Sequence, residues 1–444
     1  YTGAYWYSDD PEENTNERIS TCGKDGIVHV WKVDRRFSPE NKAATHTPIE
    51  HISTISVGYN EAHVGAPRCI SWDLYGSEAV VGTTGNAILL LHGEGLNRAE
   101  MESMGEIEAH ALQPHVYVKP VVRGHHGKVL RIAAHKSYPV FATISTDKTV
   151  RLWNAETKQQ IALTRLADRA SALEFTPDGT SLAIGNEIGE VLIVKYNVLE
   201  SNANTTYEAI PIENQWQVVL RRQVAAKTNS ISSGKETTSD SVDSATSSHL
   251  AKKKREVMEI KFSPDGEVMA VGCRDNLIHL LNMNHGCRRA AVCRGHISYI
   301  RNIDFSSDGR VIRATDAVRE LLFWEVATGK QVGNAAHTRD LDWYTGTCAL
   351  GWAAQGIFNG SAGTAVDGEM NAVCLSHNKQ LLLAGGSNTV NSAVKLFRYP
   401  CLTRAIPSLH GGHTSPVLDV TFLASDSHAV TIGGSDSTIF IWSL

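Results

Sequence analysis

The stretch STDKTVRLWN, Ser145–Asn154, contains a small polar turn followed by a short strand that ends at a tryptophan. Val150, Leu152 and Trp153 are the apolar positions of this strand. Immediately upstream, the run VFATIST from Val140 supplies a second segment rich in strand-forming residues. Two such segments joined by a tight polar turn predict a β-hairpin.

The same order of turn, strand and final apolar residue recurs along the chain. Eight copies are recognisable, and their final residues are Trp31, Leu90, Trp153, Val194, Leu281, Trp324, Phe397 and Trp442. The step from 281 to 324, which contains no insertion, is about 43 residues, the period of a four-stranded propeller blade. The intervals between the copies predict seven blades, and the hairpin at 19–33 is then an additional N-terminal element. Several strands turn at Asp-Gly, which suits the positive φ of a hairpin turn.

Three copies follow a Gly-His dipeptide, and two of these carry an aspartate in the turn. This pattern resembles WD-repeat propellers, in which such a histidine is buried beside the turn aspartate and hydrogen-bonds across the blade. We interpret eight residues as structural residues of the WD repeats. They are His125, Asp147, Trp153, His296, Trp324, His413, Asp436 and Trp442. A metal site that uses His410 and His413 is disfavoured, because no third ligand lies at a suitable spacing. We expect no metal and no cofactor.

A long insertion interrupts the repeat between Tyr196 and Val257. Residues 228–249 are dominated by Ser and Thr, a composition that cannot bury enough apolar surface to fold by itself. The fold class is therefore all-β, a WD-repeat β-propeller of four-stranded blades with an insertion of disordered type. We expect an N-terminal partial blade or closing strands at 1–34, first propeller blades at 35–197, an inserted strand and low-complexity loop at 198–256, and the remaining blades at 257–444.

Basic residues flank this insertion and form the candidate partner-binding set. They are Arg221, Arg222, Lys227, Lys252, Lys253, Lys254 and Arg255. One interpretation is that these residues only make the ends of a long loop soluble. Another interpretation is that they form a nuclear-localisation signal. The functional reading is a basic arm on a rigid rim that reaches an acidic surface, where several weak, salt-screened contacts act together.

Composition and missing motifs restrict the function further. The formal net charge of −5 gives no overall attraction to nucleic acid, and no window approaches the roughly 18 apolar residues of a membrane helix. We therefore expect a cytoplasmic protein without nucleic-acid or membrane partners. Phosphate-binding, dinucleotide-binding and hydrolase motifs are missing, and the assignable inner-strand positions are apolar, namely Ile132, Leu173, Ile260 and Ile303. We predict that the protein is not an enzyme.

Three ordered segments make the family resemblance specific. DLDWYTGTCALGW, DGEMNAV and LFRYPC contain Trp343, Thr347, Cys348, Leu350, Gly351, Asp367, Gly368, Asn371, Ala372, Val373, Leu396, Phe397, Tyr399, Pro400 and Cys401. Together they resemble the C-terminal WD-repeat propeller of the echinoderm microtubule-associated-protein-like family, and the similarity extends over most of residues 19–444. Cys348 is then a core residue in a strand of that blade, because no base and orienting group for thiolate catalysis lie nearby in the sequence.

The resemblance implies a non-catalytic scaffold of the microtubule cytoskeleton. Its expected partners are tubulin in microtubules, other microtubule-associated proteins, or proteins of axonemal doublets, bound through propeller faces and loops. The expected location is the cytoplasm and cytoskeleton, including the axoneme of a cilium or flagellum. The alternative is a general interaction scaffold or substrate-receptor propeller without tubulin contact. Because the sequence begins with Tyr1, we expect it to be continuous with further propeller domains.

Overall fold

In a computed structural model of the protein, 30 β-strands provide nearly all the regular structure of the described residues. The structure describes residues 2–6, 16–34, 49–57, 65–72, 78–94, 115–196, 216–225, 255–333, 338–358, 369–387, 392–402 and 405–444. Within these ranges the strands form eight antiparallel sheets, each built from consecutive strands. The predicted all-β fold of antiparallel, mostly four-stranded units is confirmed. No helix in these ranges is long and apolar enough to span a membrane.

Residues 1–126 form the first of two structural units and contain two four-stranded sheets. The first sheet consists of β1 Thr2–Trp6, β2 Asn16–Cys22, β3 Ile27–Asp34 and β4 Ile49–Ser56. The second sheet consists of β5 Pro67–Trp72, β6 Glu78–Thr83, β7 Ala87–Glu94 and β8 His115–Arg123. A shared apolar core that includes Val28, Ile55 and Val81 joins the two sheets.

Residues 127–444 form the second unit, which contains the other six sheets. The third sheet consists of β9 Val129–Ala134, β10 Val140–Ser145, β11 Thr149–Asn154 and β12 Gln160–Arg165. The fourth consists of β13 Ala170–Phe175, β14 Ser181–Asn186, β15 Glu190–Tyr196 and β16 Trp216–Gln223. The fifth consists of β17 Val257–Phe262, β18 Val268–Cys273, β19 Ile278–Asn282 and β20 Arg288–Cys293.

The remaining sheets of this unit follow the same up-and-down order. The sixth consists of β21 Ile300–Phe305, β22 Val311–Asp316 and β23 Leu321–Glu325. The seventh consists of β24 Glu369–Leu375, β25 Leu381–Ser387, β26 Ser392–Arg398 and β27 Ser408–His413. The eighth consists of β28 Val417–Phe422, β29 His428–Gly433 and β30 Ile439–Ser443.

Each of the eight strand-ending residues read from the sequence lies in the third strand of its own sheet. The hairpin at 19–33 belongs to β2 and β3 and is the centre of a four-stranded sheet. The described residues therefore hold eight sheets, and the predicted count of seven blades is not confirmed. The predicted Asp-Gly turns do adopt positive φ, with 72° at Gly179, 76° at Gly266 and 70° at Gly309.

In the second unit the first strands of the sheets lie side by side around a central axis. β9 packs beside β13, β13 beside β17, and β17 beside β21, while β24 packs beside β28. β28 in turn packs against β9, which brings the first and the last sheet of this unit together. At this junction Ile132 and Phe141 share an apolar cluster with Val430 and Ile432. The backbone N–H of Ile132 also donates to Asp419 Oδ2 at 3.1 Å.

The connection between the sixth and seventh sheets contains Cys348, which we predicted to lie in a strand. That prediction is wrong, since residues 344–350 form no strand, although Cys348 is buried with 2% exposure. The backbone N–H groups of Thr347 and Cys348 donate to the carboxylate of Asp304 at 2.8 and 2.9 Å instead of to a neighbouring strand. Burial, together with the nearby Asp304 carboxylate, raises the pKa of the Cys348 thiol. A thiol in this state is a poor nucleophile.

Candidate partner-binding surface

The outermost strands of the fourth and fifth sheets carry two pairs of exposed arginines. Arg221 and Arg222 lie on β16, and Arg288 and Arg289 lie on β20. In each case the adjacent strand of the sheet is largely buried, whereas the outermost strand is mostly exposed. We call these four residues the arginine rim.

Two hydrogen bonds link the halves of the arginine rim. Arg222 donates to the backbone carbonyl of Gly286, just before β20, at 2.6 Å. In return, Arg289 donates to the backbone carbonyl of Val224, just after β16, at 2.5 Å. Because a carbonyl carries no charge, these contacts fix the guanidinium groups without neutralising them. The guanidinium groups of Arg222 and Arg289 are therefore preorganised between the two sheets.

None of the four rim arginines has a carboxylate within ion-pair distance among the described residues. The contrast with nearby arginines is clear, because Arg169 and Arg274 both pair with Glu256, at 2.8 and 2.6 Å. A positive charge without an acidic partner among the described residues is available to a partner of opposite sign.

The predicted basic set is only partly visible on this surface. Arg221 and Arg222 lie on β16, and Arg255 is half-buried just before β17, where its backbone carbonyl closely approaches Gly189. Lys227, Lys252, Lys253 and Lys254 lie outside the described residues, as does the Ser/Thr-rich stretch 228–249. The strand that we predicted before this stretch is confirmed as β16.

Sequence analysis missed Arg288 and Arg289. A signal was available, because the run GCRRAAVC places an Arg-Arg pair in the fourth strand of one repeat and LRRQ places another in the fourth strand of the repeat before it. The two pairs are not at the same place in their ladders, since Arg289 pairs with Leu281, whereas Arg221 pairs with Leu192, two residues before the corresponding Val194.

The predicted structural residues His413, Asp436 and Trp442 lie together where the seventh sheet meets the eighth. His413 is buried, and hydrogen bonds of 2.8 Å join its Nδ1 to Thr438 Oγ1 and its Nε2 to Thr431 Oγ1. Asp436 lies 3.6 Å from Nδ1 and accepts backbone N–H groups, including that of Ser415. Trp442 donates to Thr431 Oγ1 at 2.9 Å. Threonine hydroxyls thus provide the hydrogen bonds of the histidine ring.

The other predicted structural residues occupy comparable positions. Asp147 accepts both the backbone N–H and the hydroxyl of Thr149, at 2.9 and 2.6 Å, and Trp153 donates to Thr143 Oγ1 at 2.8 Å. His125 is buried with 1% exposure. Trp324 donates to the Arg294 carbonyl at 3.0 Å.

His296 is buried close to acidic groups of the sixth sheet. The two residues of the disfavoured metal site, His410 and His413, do not meet in a cluster of metal-ligating groups. His410 is exposed beside Ser408, whereas His413 faces inward to its threonine partners.

A cavity of ≈ 360 Å³ lies on the axis of the second unit, lined by residues of the six first strands. Our expectation of apolar inner positions is wrong for this lining, which includes Arg131, Glu174, Glu259, Lys261 and Asp419. Of the four residues that we chose from the sequence, Ile132 and Leu173 do line the cavity, whereas Ile260 and Ile303 do not and pack in apolar clusters of the sheets. Successive residues of a strand point to opposite faces, which explains the difference.

The charged groups of this cavity largely satisfy one another. Arg131 lies 3.0 Å from Glu259, and Lys261 lies 2.5 Å from Glu174 and 3.6 Å from Glu259. Burial raises the pKa of Glu259 to about 7, although Arg131 and Lys261 oppose the shift. Burial also raises the pKa of Asp419. The cavity therefore holds an internal charge network, in contrast to the uncompensated arginine rim.

Comparison with known proteins assigns the chain to a family. The model of the echinoderm microtubule-associated protein second beta-propeller matches residues 221–444. The chain belongs to the echinoderm microtubule-associated protein family. This confirms the resemblance of the three motif segments, and the matched range includes the whole arginine rim. A WD domain, G-beta repeat, also matches residues 118–154.

Relatives in the echinoderm microtubule-associated protein family are similar over most of the chain. Echinoderm microtubule-associated protein-like 2 of Mus musculus is 30% identical over 96% of this chain and 52% of its own length. Echinoderm microtubule-associated protein-like 3 of Homo sapiens is 30% identical over 86% of this chain and 35% of its own length. The chain thus spans about half the length of the first relative and about a third of the second.

Proposed function

We propose that this chain is a non-catalytic WD-repeat scaffold of the microtubule cytoskeleton that binds microtubules or axonemal doublet proteins. The arginine rim carries the proposal, because it presents uncompensated positive charge on fixed strands. The names of the relatives support a microtubule partner, since they describe microtubule-associated proteins. The proposed location is the cytoplasm and its cytoskeleton, including the axoneme of a cilium or flagellum.

Recognition in this proposal depends on rigidity and several weak contacts. β16 and β20 are already paired within their sheets, so docking costs little additional backbone entropy. Each exposed arginine contributes a modest attraction to an acidic surface, and salt screens it. Four arginines together, joined by the basic residues at 252–255 that the sequence places next to β17, provide a strongly salt-dependent interaction.

The proposed scaffold does no chemistry on its partner. The charged residues of the axial cavity, among them Arg131, Glu174 and Lys261, are engaged with one another. The buried thiol of Cys348 has a raised pKa and does not favour the thiolate. Nucleic acid and membranes are not among the proposed partners, because the cationic surface is local and the formal net charge of the chain is −5.

Co-sedimentation of the full chain with stabilised microtubules across a salt series tests the proposal. One variant changes Arg221, Arg222, Arg288 and Arg289 to Gln, and a second changes residues 252–255 to Gln. The matched control changes four exposed lysines elsewhere to Gln, namely Lys24, Lys128, Lys158 and Lys330. Circular dichroism confirms that each variant is folded.

We expect the rim variant to weaken binding at least about tenfold and to flatten its salt dependence, while the lysine control binds like the wild type. Equal loss in the control would mean that only net charge matters and would refute a specific rim. Tubulin without its acidic tails separates binding to those tails from binding to the lattice. If the wild-type chain stays in the supernatant at every salt concentration, the general scaffold without tubulin contact replaces this proposal.

A further inference from the structure

His296, Asp316 and Glu320 bring three potential metal ligands together at one end of the sixth sheet. His296 Nδ1 lies 3.4 Å from Asp316 Oδ2 and 4.0 Å from Glu320 Oε2. The side chains of His296 and Asp316 are 1% and 0% exposed, whereas that of Glu320 is 42% exposed. The cluster is thus buried on one side and reachable from the surface through Glu320.

Four buried polar atoms of this cluster make no well-aligned hydrogen bond among the described residues, although His296 Nδ1 and Asp316 Oδ2 are 3.4 Å apart. They are both ring nitrogens of His296, Oδ2 of Asp316 and Oε2 of Glu320. The other carboxylate oxygen of Asp316 is occupied, because it accepts the backbone N–H groups of Val318 and Glu320 at 3.1 and 2.8 Å. Buried polar atoms without partners are rare and costly, so several in one cluster indicate a missing ligand.

The eighth sheet shows how the same position is satisfied without an ion. His413, at the end of β27, is hydrogen-bonded by Thr431 of the eighth sheet and by Thr438, which follows the left-handed turn residue Ser437. In the sixth sheet the left-handed turn residue is Arg319, and the residue after it is Glu320 instead of threonine. At this position the carboxylate of Glu320 therefore replaces a threonine hydroxyl that hydrogen-bonds to the histidine ring.

The fourth sheet supplies a second internal comparison. Asn186 accepts the backbone N–H groups of Ile188 and Glu190, as Asp316 does for its own turn. The amide of Asn186 also faces the Glu190 carboxylate, with its Nδ2 3.4 Å from Oε2. In the sixth sheet the corresponding residue is Asp316, which presents a second carboxylate in place of this amide. Only the sixth sheet combines two carboxylates with a histidine in this arrangement within the described residues.

We propose that His296, Asp316 and Glu320 bind a divalent transition-metal ion of the zinc type. One imidazole nitrogen and two carboxylate oxygens are ligands that Zn²⁺ accepts, and a water molecule would complete four-coordination. Ligands about 2.0 Å from a tetrahedral centre are about 3.3 Å apart, close to the His296 to Asp316 distance. The cation also compensates the two neighbouring negative charges.

The sister sheets supply variants that test the site without removing its histidine. Glu320→Thr copies the eighth sheet, and Asp316→Asn copies the fourth sheet, so both are expected to fold. The full chain is stripped with a chelator and titrated with Zn²⁺ by calorimetry, and bound metal is counted by mass spectrometry. The wild type should bind one Zn²⁺ and gain thermal stability, whereas each variant should bind at least about 100-fold more weakly.

A second cluster, Cys273, Asp275 and His279, requires its own control. Cys273→Ser is a mild change, because Ser145 holds the corresponding place in the third sheet, and it should leave Zn²⁺ binding unchanged. Co²⁺ should replace Zn²⁺ without a thiolate-to-cobalt charge-transfer band. A strong charge-transfer band, loss of binding in Cys273→Ser, or unaltered binding in Glu320→Thr would overturn the proposal. Failure of the wild type to bind Zn²⁺ would also overturn it and would leave a hydrogen-bonded or protonated His296.

Discussion

The backbone N–H of Cys348 donates a 2.9 Å hydrogen bond to the carboxylate of Asp304 and so fastens the connection after the sixth sheet to its first strand. Asp304 is fully buried and also accepts from Thr345 and Thr347, while Arg313 lies 3.0 Å away. Burial alone would raise the pKa of Asp304, but Arg313 and the hydrogen bonds outweigh it and lower the pKa. The ionised carboxylate is therefore an organising group of this region.

Replacement of Asp304 by Asn should destabilise the protein by about 3 to 5 kcal/mol, because the charge of Arg313 stays buried without its partner. The folded pKa of Asp304 is depressed, so its contribution is present above the unfolded value of about 3.9 and is lost as pH falls through the folded pKa. Urea unfolding at neutral and acidic pH measures both effects. Asp340→Asn, an exposed change in the same connection, should be nearly neutral.

Replacement of Thr431 by Val should cost about 2 kcal/mol or more. The Thr431 hydroxyl bonds to both His413 and Trp442, so its loss leaves two buried nitrogens without a partner. Thermal unfolding gives the stability change, and near-ultraviolet circular dichroism reports on the tryptophan environment. Thr414→Val changes an exposed threonine close by and is the control. An equal loss of stability in both variants would contradict the special role of Thr431.

Replacement of Glu259 by Gln should remove part of the pH dependence of stability. The folded pKa is raised to about 7, so the folded protein holds this proton more tightly than the unfolded chain does. The contribution of Glu259 to stability therefore falls as pH rises from about 4.3 to about 7. Between about pH 5 and pH 8 the wild type should lose about 1 to 3 kcal/mol more than Glu259→Gln. Parallel urea titrations of the wild type, this variant and exposed Glu267→Gln measure the difference, and parallel pH profiles would contradict it.

Replacement of Gly356 by Ala should destabilise the seventh sheet by about 1 to 3 kcal/mol. Gly356 lies in the 3-10 helix Trp352–Phe358, and its N–H donates to the Cys401 carbonyl at 2.8 Å. An added Cβ would overlap the backbone carbonyl of Leu402, which cannot move as a side chain can. Gly333→Ala is the control, because a Cβ there meets nothing within 4 Å. Equal thermal midpoints for the two variants would show that the contact adapts.

The sequence predicted the repeated units well, because a strand that ends at an apolar residue is a local pattern. Trp31 illustrates the limit of such counting. Its copy is as complete as that of Trp153, since Trp31 donates to Thr21 just as Trp153 donates to Thr143. The strands on either side of it, β1 and β4, carry no repeat signature, so the sequence predicts only a partial blade or closing strands at 1–34.

The candidate sites were harder to predict, because they combine residues from separate repeats. Arg222 and Arg289 meet only when β16 and β20 lie next to each other, which no local pattern reveals. The charged lining of the cavity was missed for another reason. Along β17, residues that pack in the sheets alternate with residues that line the cavity. Ile260 packs in an apolar cluster, whereas its neighbour Glu259 lines the cavity, and the apolar residue alone was used to predict the lining.

The closure between β9 and β28 has a mechanical consequence. The described strands of the third and eighth sheets are each consecutive in the chain, so side-chain packing and a few hydrogen bonds, and no shared strand, hold this junction. Under a stretching force such a junction separates without breaking the backbone hydrogen bonds of a β-ladder. Every sheet of the second unit is built from consecutive strands, so the same holds at each of its junctions. We therefore expect single-molecule pulling to release the sheets of this unit in separate steps, because no described strand is shared between neighbouring sheets.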